Sequence, residues 1–172
     1  GSWSPTYNFT TLAANVGAGE KPLRVAQIGD MGYCNKSDDT IQRLSELIQA
    51  QEIDFILHTG DVGYADGYMR HWDVFGRKIE PLAARVPYMT TPGNHEMWFN
   101  FAAYKARWFM PDFELQKSMF WALTLGPLHI TALNTESKFD IPRIDAEQLA
   151  WLSADLAAAS NASSRTNVPW LV

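Results

Sequence analysis

The sequence holds a single cysteine, Cys34, in 172 residues. No internal disulfide can form, so burial has to hold the core together. Basic residues are outnumbered by acidic ones, 14 to 19, and no Lys/Arg-rich run occurs. That balance argues against a nucleic-acid binder. No apolar stretch reaches the roughly 20 residues of a membrane span. Neither an internal repeat nor a low-complexity tract is present. The chain opens at Gly1-Ser2-Trp3 with no leader-like segment, so any leader is expected outside these residues.

What is present is the composition of a folded domain. Apolar residues make up 47% and charged residues 19%, enough for one core. Three Asn-x-Ser/Thr sequons, at Asn8, Asn35 and Asn161, point to a secreted or a lysosomal or vacuolar glycoprotein. An odd cysteine in such a protein predicts a pairing partner outside the chain or a free thiol.

The hydrophobic pattern predicts an α/β fold. Residues 2–11 alternate aromatic and polar and read as a strand; the Ala/Gly-rich stretch 13–22 reads as a linker. Strands are then expected at 23–28, 54–59 and 87–91, with helices from Ser37 or Asp38 and over 68–84. Strand-helix repetition of this kind implies a parallel sheet. Further on, a short helix is expected over 102–108 and a hairpin from 119–125 and 128–134 about Gly126-Pro127. Asp145 and Gln148 form a capping box for a helix to about Ala159. Pro169-Trp170-Leu171-Val172 reads as the start of another buried strand.

Each of the three early strands stops at a glycine followed by an oxygen-bearing side chain: Gly29-Asp30, Gly60-Asp61 and Gly93-Asn94. The intervals are 31 and 33 residues, one crossover each, which brings the three side chains to one sheet edge. Two carboxylates and an amide converging without basic neighbours need a cation to compensate them. A pair of metal ions there could clamp an in-line displacement at phosphorus.

Gly29-Asp30-Met31-Gly32, Gly60-Asp61-Val62-Gly63-Tyr64 and Gly93-Asn94-His95-Glu96 resemble the first three motifs of the metallophosphoesterases, and within them the purple acid phosphatases. The wider superfamily has Asp-x-His in the first motif and Gly-Asp-x-x-Asp in the second. Gly32 and Tyr64 stand at those two positions, the purple-type exchange. A phenolate suits a hard ferric ion. Trp3-Ser4-Pro5 resembles the last strand of that family's amino-terminal β-sandwich domain.

The resemblance implies a helix-flanked β-sandwich of αββα layers, of which the chain would be the amino-terminal half. It implies that 1–12 end a fibronectin-III-like domain, 13–22 link, and 23–172 are a partial catalytic domain. Asp30 and Tyr64 would bind ferric iron, Asp61 would bridge, and Asn94 would bind a second divalent metal, iron, zinc or manganese. His95 would assist the leaving oxygen of a small phosphate ester, and Glu96 would orient His95 or its loop. The implied reaction is acid hydrolysis of phosphate monoesters by a dinuclear metal-activated hydroxide. The alternatives are a phosphodiesterase or nucleotide pyrophosphatase on the same site, or a catalytically incompetent truncated chain.

The sequence departs from the family in one respect. The family's other histidine ligands come from Val-x-x-His and Gly-His-x-His motifs, and His58, His71, His95 and His129 lie in neither. The 172 residues alone are therefore expected to bind metal poorly and hydrolyse little. His58 and His129 are expected to be structural, His71 to lie at the surface or in packing, and Asp66 and Asp73 to be turn and helix-surface charges. The cluster Trp98-Phe99-Asn100-Phe101 is expected to pack or to line the substrate mouth.

Overall fold

The computed structural model describes residues 5–9, 11, 22–125, 128–136, 145–166 and 170–171, the last two and 162–166 by backbone alone. Strands β1 (Val25–Ile28), β2 (Phe55–Thr59) and β3 (Tyr88–Thr91) form a parallel sheet in the order β1-β2-β3. Helix α1 (Asp38–Gln49) connects the first pair and α2 (Met69–Ala83) the second. The register pairs Ile28 with His58 and Thr59 with Thr91, so the carboxyl ends of adjacent strands lie level.

Strand β2 is buried on both faces, as the central strand of a covered parallel sheet must be. Ile56 joins Leu44 and Ile48 of α1 and Phe75, Ile79 and Leu82 of α2 in one core. Phe55 and Leu57 point the other way, into a second core with Trp121, Ile130 and Ala132. Those three residues belong to the second sheet, where β4 (Trp121–Leu125) pairs antiparallel with β5 (Leu128–Ala132), and β5 pairs parallel with β6 (Trp170–Leu171). On its outer face lies α5 (Ala146–Thr166), joined by Asp155 to His129 at 3.0 Å and to Thr131 at 2.7 Å. The layers are helices, sheet, sheet, helix, the αββα order that the family resemblance implies.

Several details differ from expectation. The short helix is α3 (Trp98–Lys105), displaced towards the amino end, and Phe99, Asn100 and Phe101 within it carry left-handed φ values of 55°, 56° and 59°. A further turn of helix, α4 (Phe113–Gln116), was not legible in the hydrophobic pattern. Residues 5–9 form no strand among the described residues, and Tyr7 lies under the Arg85 guanidinium at 5.8 Å. Half of the capping box forms. The Gln148 N–H donates to Asp145 Oδ1 at 2.8 Å, but the Gln148 side chain turns away to Asn134. The turn at Gly126-Pro127 and most of the 13–22 linker lie outside the described residues.

Candidate metal centre

The three glycine-led loops meet at one edge of the parallel sheet and are tied to one another. The Gly32 N–H donates to the Val62 carbonyl at 3.0 Å, and the His95 N–H donates to Asp61 Oδ1 at 3.1 Å. Asp30, Asp61 and Tyr64 have φ values of 53°, 49° and 49°. Left-handed backbone at a non-glycine residue costs on the order of 1–3 kcal/mol and persists where the surroundings enforce it. Three of the four residues expected to hold metal carry that strain.

Gly93 is required by space, and Gly32 by its left-handed φ of 71°. A Cβ on Gly93 would lie 2.1 Å from Asp61 Oδ1 and 2.3 Å from the Asp61 amide nitrogen. A Cβ on Gly32 would meet Tyr64 Cδ2 at 3.2 Å and Tyr64 Cβ at 3.3 Å. The Tyr64 side chain thus lies against the position that Gly32 leaves bare. This is a steric reason for glycine at 32 to accompany tyrosine at 64.

The Tyr64 hydroxyl donates to Asp30 Oδ1, and it lies 3.3 Å from Asp61 Oδ2. The hydrogen bond to Asp30, then burial, then the charges of both carboxylates raise the phenol's pKa. A cation in place of that proton reverses the sign of the argument, because it attracts all three oxygens at once. A cavity of about 330 Å³ opens beside them, lined by Asp30, Asp61 and Asn94 from the first sheet and by Glu136 from beyond β5. Among the described residues no lysine, arginine or histidine lines it. Two carboxylates, a phenol and an amide oxygen fit a hard metal ion. Among the described residues no three His, Cys, Asp or Glu side chains are placed to hold a metal, so the fit rests on this mixed oxygen set.

His95 lies beside it, its ring 4.1 Å from that of Tyr64. Its Nδ1 meets Asp66 Oδ1 at 2.6 Å, which directs Nε2 away from Asp66. Burial lowers the His95 pKa, but the Asp66 bond and the charges of Asp66, Asp61 and Glu96 outweigh it and leave the pKa raised. Asp66 is therefore more than the turn charge expected from the sequence. Asp73 is a surface charge, 3.5 Å from Arg107. Glu96 is buried and holds loops rather than the imidazole. Its Oε1 accepts from the Val62 and Gly63 N–H groups at 3.0 and 3.2 Å, and Oε2 from Gly93 at 2.9 Å. Those bonds clamp the second loop to the third.

The remaining candidates fall as follows. His71 stacks on Tyr33 at 4.0 Å, and His129 bridges Thr124 and Asp155. Cys34 is exposed with a free thiol. Trp98 and Phe99 are exposed while Phe101 is buried, so the aromatic cluster divides between surface and core. Asn8, Asn35 and Asn161 are all exposed. His58 is buried in β2, with Nδ1 2.8 Å from the Tyr88 hydroxyl. Burial pulls its pKa down from 6.5 to about 4, against the opposing charge of Asp30. The unfolded chain therefore binds a proton that the folded chain refuses. The resulting stability is full above about pH 6.5 and is lost as pH falls towards 4. The loss is expected to reach about 3 kcal/mol. Urea unfolding of wild type and His58→Gln across that window checks it, the variant showing the shallower slope.

Glu136, Asp66 and the Gln148–Asn134 contact were missed in the sequence. Glu136 lies four residues beyond the end of β5 and follows no glycine, so the strand-end pattern that found Asp30 does not reach it.

Comparison with known proteins agrees with this geometry. The profile of the calcineurin-like phosphoesterase family matches residues 23–171. Purple acid phosphatase 22 of Arabidopsis thaliana is 34% identical over 181 residues, covering 100% of this chain and 38% of the relative. Acid phosphatase type 7 of Mus musculus is 37% identical over 175 residues, covering 99% of this chain and 38% of the relative. The structure of a purple acid phosphatase from yellow lupin (Lupinus luteus) seeds superposes with a TM-score of 0.65 at 28% identity, covering 78% of this chain and 27% of that one. The chain thus spans 38% of the length of these curated relatives. With its strand-end loops and the family profile in agreement over nearly its whole length, the chain belongs to the calcineurin-like phosphoesterase family.

Proposed function

We propose that the protein is a purple-type acid phosphatase that hydrolyses small phosphate monoesters. The observation that carries this reading is the meeting of the Tyr64 hydroxyl with Asp30 and Asp61 at the rim of a cavity without a basic residue among those described. Asp30 and Tyr64 would hold ferric iron, Asp61 would reach both ions, and Asn94 would hold a second divalent ion, iron, zinc or manganese. When bound, such a pair supplies Lewis acidity to the phosphoryl oxygens and a water acidified enough to react in acid. Asp61 and Asn94 are two donors, so the second ion needs further donors from elsewhere in the polypeptide. For the same reason the 172 residues alone should bind metal weakly and turn over little.

His95 would donate a proton to the departing alkoxide. Asp66 orients its ring and favours the protonated form that this donation needs. Glu96 holds the loops that carry Asp61 and Asn94 in contact. Residues 1–12 we assign to the end of a preceding β-sandwich domain and 13–22 to a linker. The exposed sequon asparagines support a glycosylated protein outside the cytosol, secreted or in a lysosome or vacuole.

The test is steady-state hydrolysis of phenyl phosphate at acid pH by the natural full-length protein. Asp66→Asn is expected to lower kcat about 10- to 100-fold, the usual effect of removing an orienting partner, with metal content retained. A kcat within twofold of wild type would remove Asp66 and His95 from the reaction.

A further inference from the structure

His58 is 1% exposed, and one of its ring nitrogens has no hydrogen-bond partner. The ring lies on the helix side of the parallel sheet, 5.8 Å from that of Tyr88 and 6.2 Å from that of Phe75 in α2. Nδ1 meets the Tyr88 hydroxyl at 2.8 Å. Among the described residues that hydroxyl has no other partner, so it donates to Nδ1, and the proton of the neutral ring sits on Nε2. Nε2 is the unpaired atom. A buried N–H without a partner is costly and rare, and it calls for an explanation. The loop that carries Asp61 closes over this ring. The His58 carbonyl accepts the Gly60 N–H at 3.2 Å, and left-handed φ values of 76° at Gly60 and 49° at Asp61 bend the chain back towards α2. Val62 then enters the same core as Phe75, and a Cβ on Gly63 would meet the Trp72 ring at 3.0 Å. The Asp61 backbone bonds to the ring in the sense that favours its protonated form. In a bond of that sense the ring donates, so the Asp61 group is its carbonyl. Nε2 falls short of full hydrogen-bond geometry, so this contact is loose. Such bonds are often long in a free protein and tighten when the site is filled.

Resting on the phosphatase reading, we infer that His58 is a positioning residue for Asp61: its Nε2–H holds the Asp61 carbonyl and so fixes the left-handed turn that aims the carboxylate into the metal cavity. Asp61 has to reach two ions at once, so a small swing of its backbone weakens both. The bond acts on the backbone and leaves both carboxylate oxygens to the cations and to the His95 N–H. Tyr88 acts one step further back, by keeping the ring proton on Nε2. Partners of this kind orient a ligand without touching the metal, and their loss commonly changes metal affinity or rate about 10- to 100-fold.

The experiment titrates zinc into the metal-depleted, natural full-length protein by calorimetry. His58→Phe fills the same space without a donor, and His58→Gln keeps a donor near the place of Nε2. Zinc affinity is expected to fall about 10- to 100-fold in His58→Phe and to stay close to wild type in His58→Gln. In the metal-loaded protein, kcat for phenyl phosphate should follow the same order with KM little changed, since His58 does not touch the substrate. Nitrogen–proton correlation spectra of the wild type supply a reading that depends on no variant. They should show the His58 ring proton on Nε2 and a downfield shift of that proton on zinc loading. A ring proton found on Nδ1, unchanged zinc affinity in His58→Phe, or equal losses in both variants would overturn the role of His58 and leave the phosphatase reading standing. A wild type that binds no zinc and hydrolyses no phenyl phosphate would overturn that reading, and this inference with it.

Discussion

Asp61→Asn is expected to lower kcat/KM for phenyl phosphate about 1,000-fold or more, with the fold retained. One Asp61 oxygen accepts the His95 N–H at 3.1 Å, and the other lies 3.3 Å from the Tyr64 hydroxyl. Asparagine keeps the shape and can keep the first bond, but it removes the charge. It also puts a donor where both Tyr64 and a cation need an acceptor. Asp61 thus ties the second loop to the third, and through Tyr64 it is linked to Asp30 of the first. Metal content by elemental analysis should fall along with the rate. A variant within tenfold of wild type would show that Asp61 is a turn residue.

The second large effect comes from a residue without a side chain. Gly93 has φ −112° and ψ −172°, extended backbone that any residue adopts. The requirement is for space, since a methyl group there would lie 2.1 Å from an Asp61 carboxylate oxygen. The other near atom is the Asp61 backbone nitrogen, which cannot swing aside. Gly93→Ala is therefore expected to push the second loop away from the third, at a cost of about 3 kcal/mol. It should also break the Glu96 clamp on the Gly93 N–H and lower activity about 100-fold or more. Gly76, in α2, has no atom within 4 Å of its added Cβ. Gly76→Ala should instead stabilise by up to about 1 kcal/mol, as alanine does in a helix. Denaturant melts of the two variants beside wild type give the contrast. Equal stability of all three would mean that the loops do not touch at Gly93.

These cases show what was legible in the sequence. The meeting of Asp30, Asp61 and Asn94 at one cavity was legible because the signal is local: a strand, a glycine, an oxygen-bearing side chain, repeated at crossover length. The parallel sheet followed from the same strands, whereas the two-sheet sandwich came from the family resemblance. Asp66 was read as a turn charge because its contact with His95 spans 29 residues and depends on a left-handed φ of 46° at Asp66 itself. No hydrophobic pattern encodes that geometry. Glu136 stayed hidden because it reaches the cavity only when the second sheet lies over the first. Gln148 looked like half of a capping box, and its side chain was claimed by Asn134 because a buried backbone at that place needs partners more than an exposed helix end does. The α3 segment was misplaced because three consecutive left-handed residues defeat any periodicity.

The central claim is that a tyrosine at 64, seated over a glycine at 32, holds ferric iron with Asp30. Metal analysis together with a visible absorption spectrum of the natural full-length protein tests it most directly. The account predicts iron with a second metal and a violet phenolate-to-iron band that Tyr64→Phe abolishes while Tyr33→Phe leaves it in place. A colourless protein carrying two divalent ions, or a band that survives in Tyr64→Phe, would contradict it.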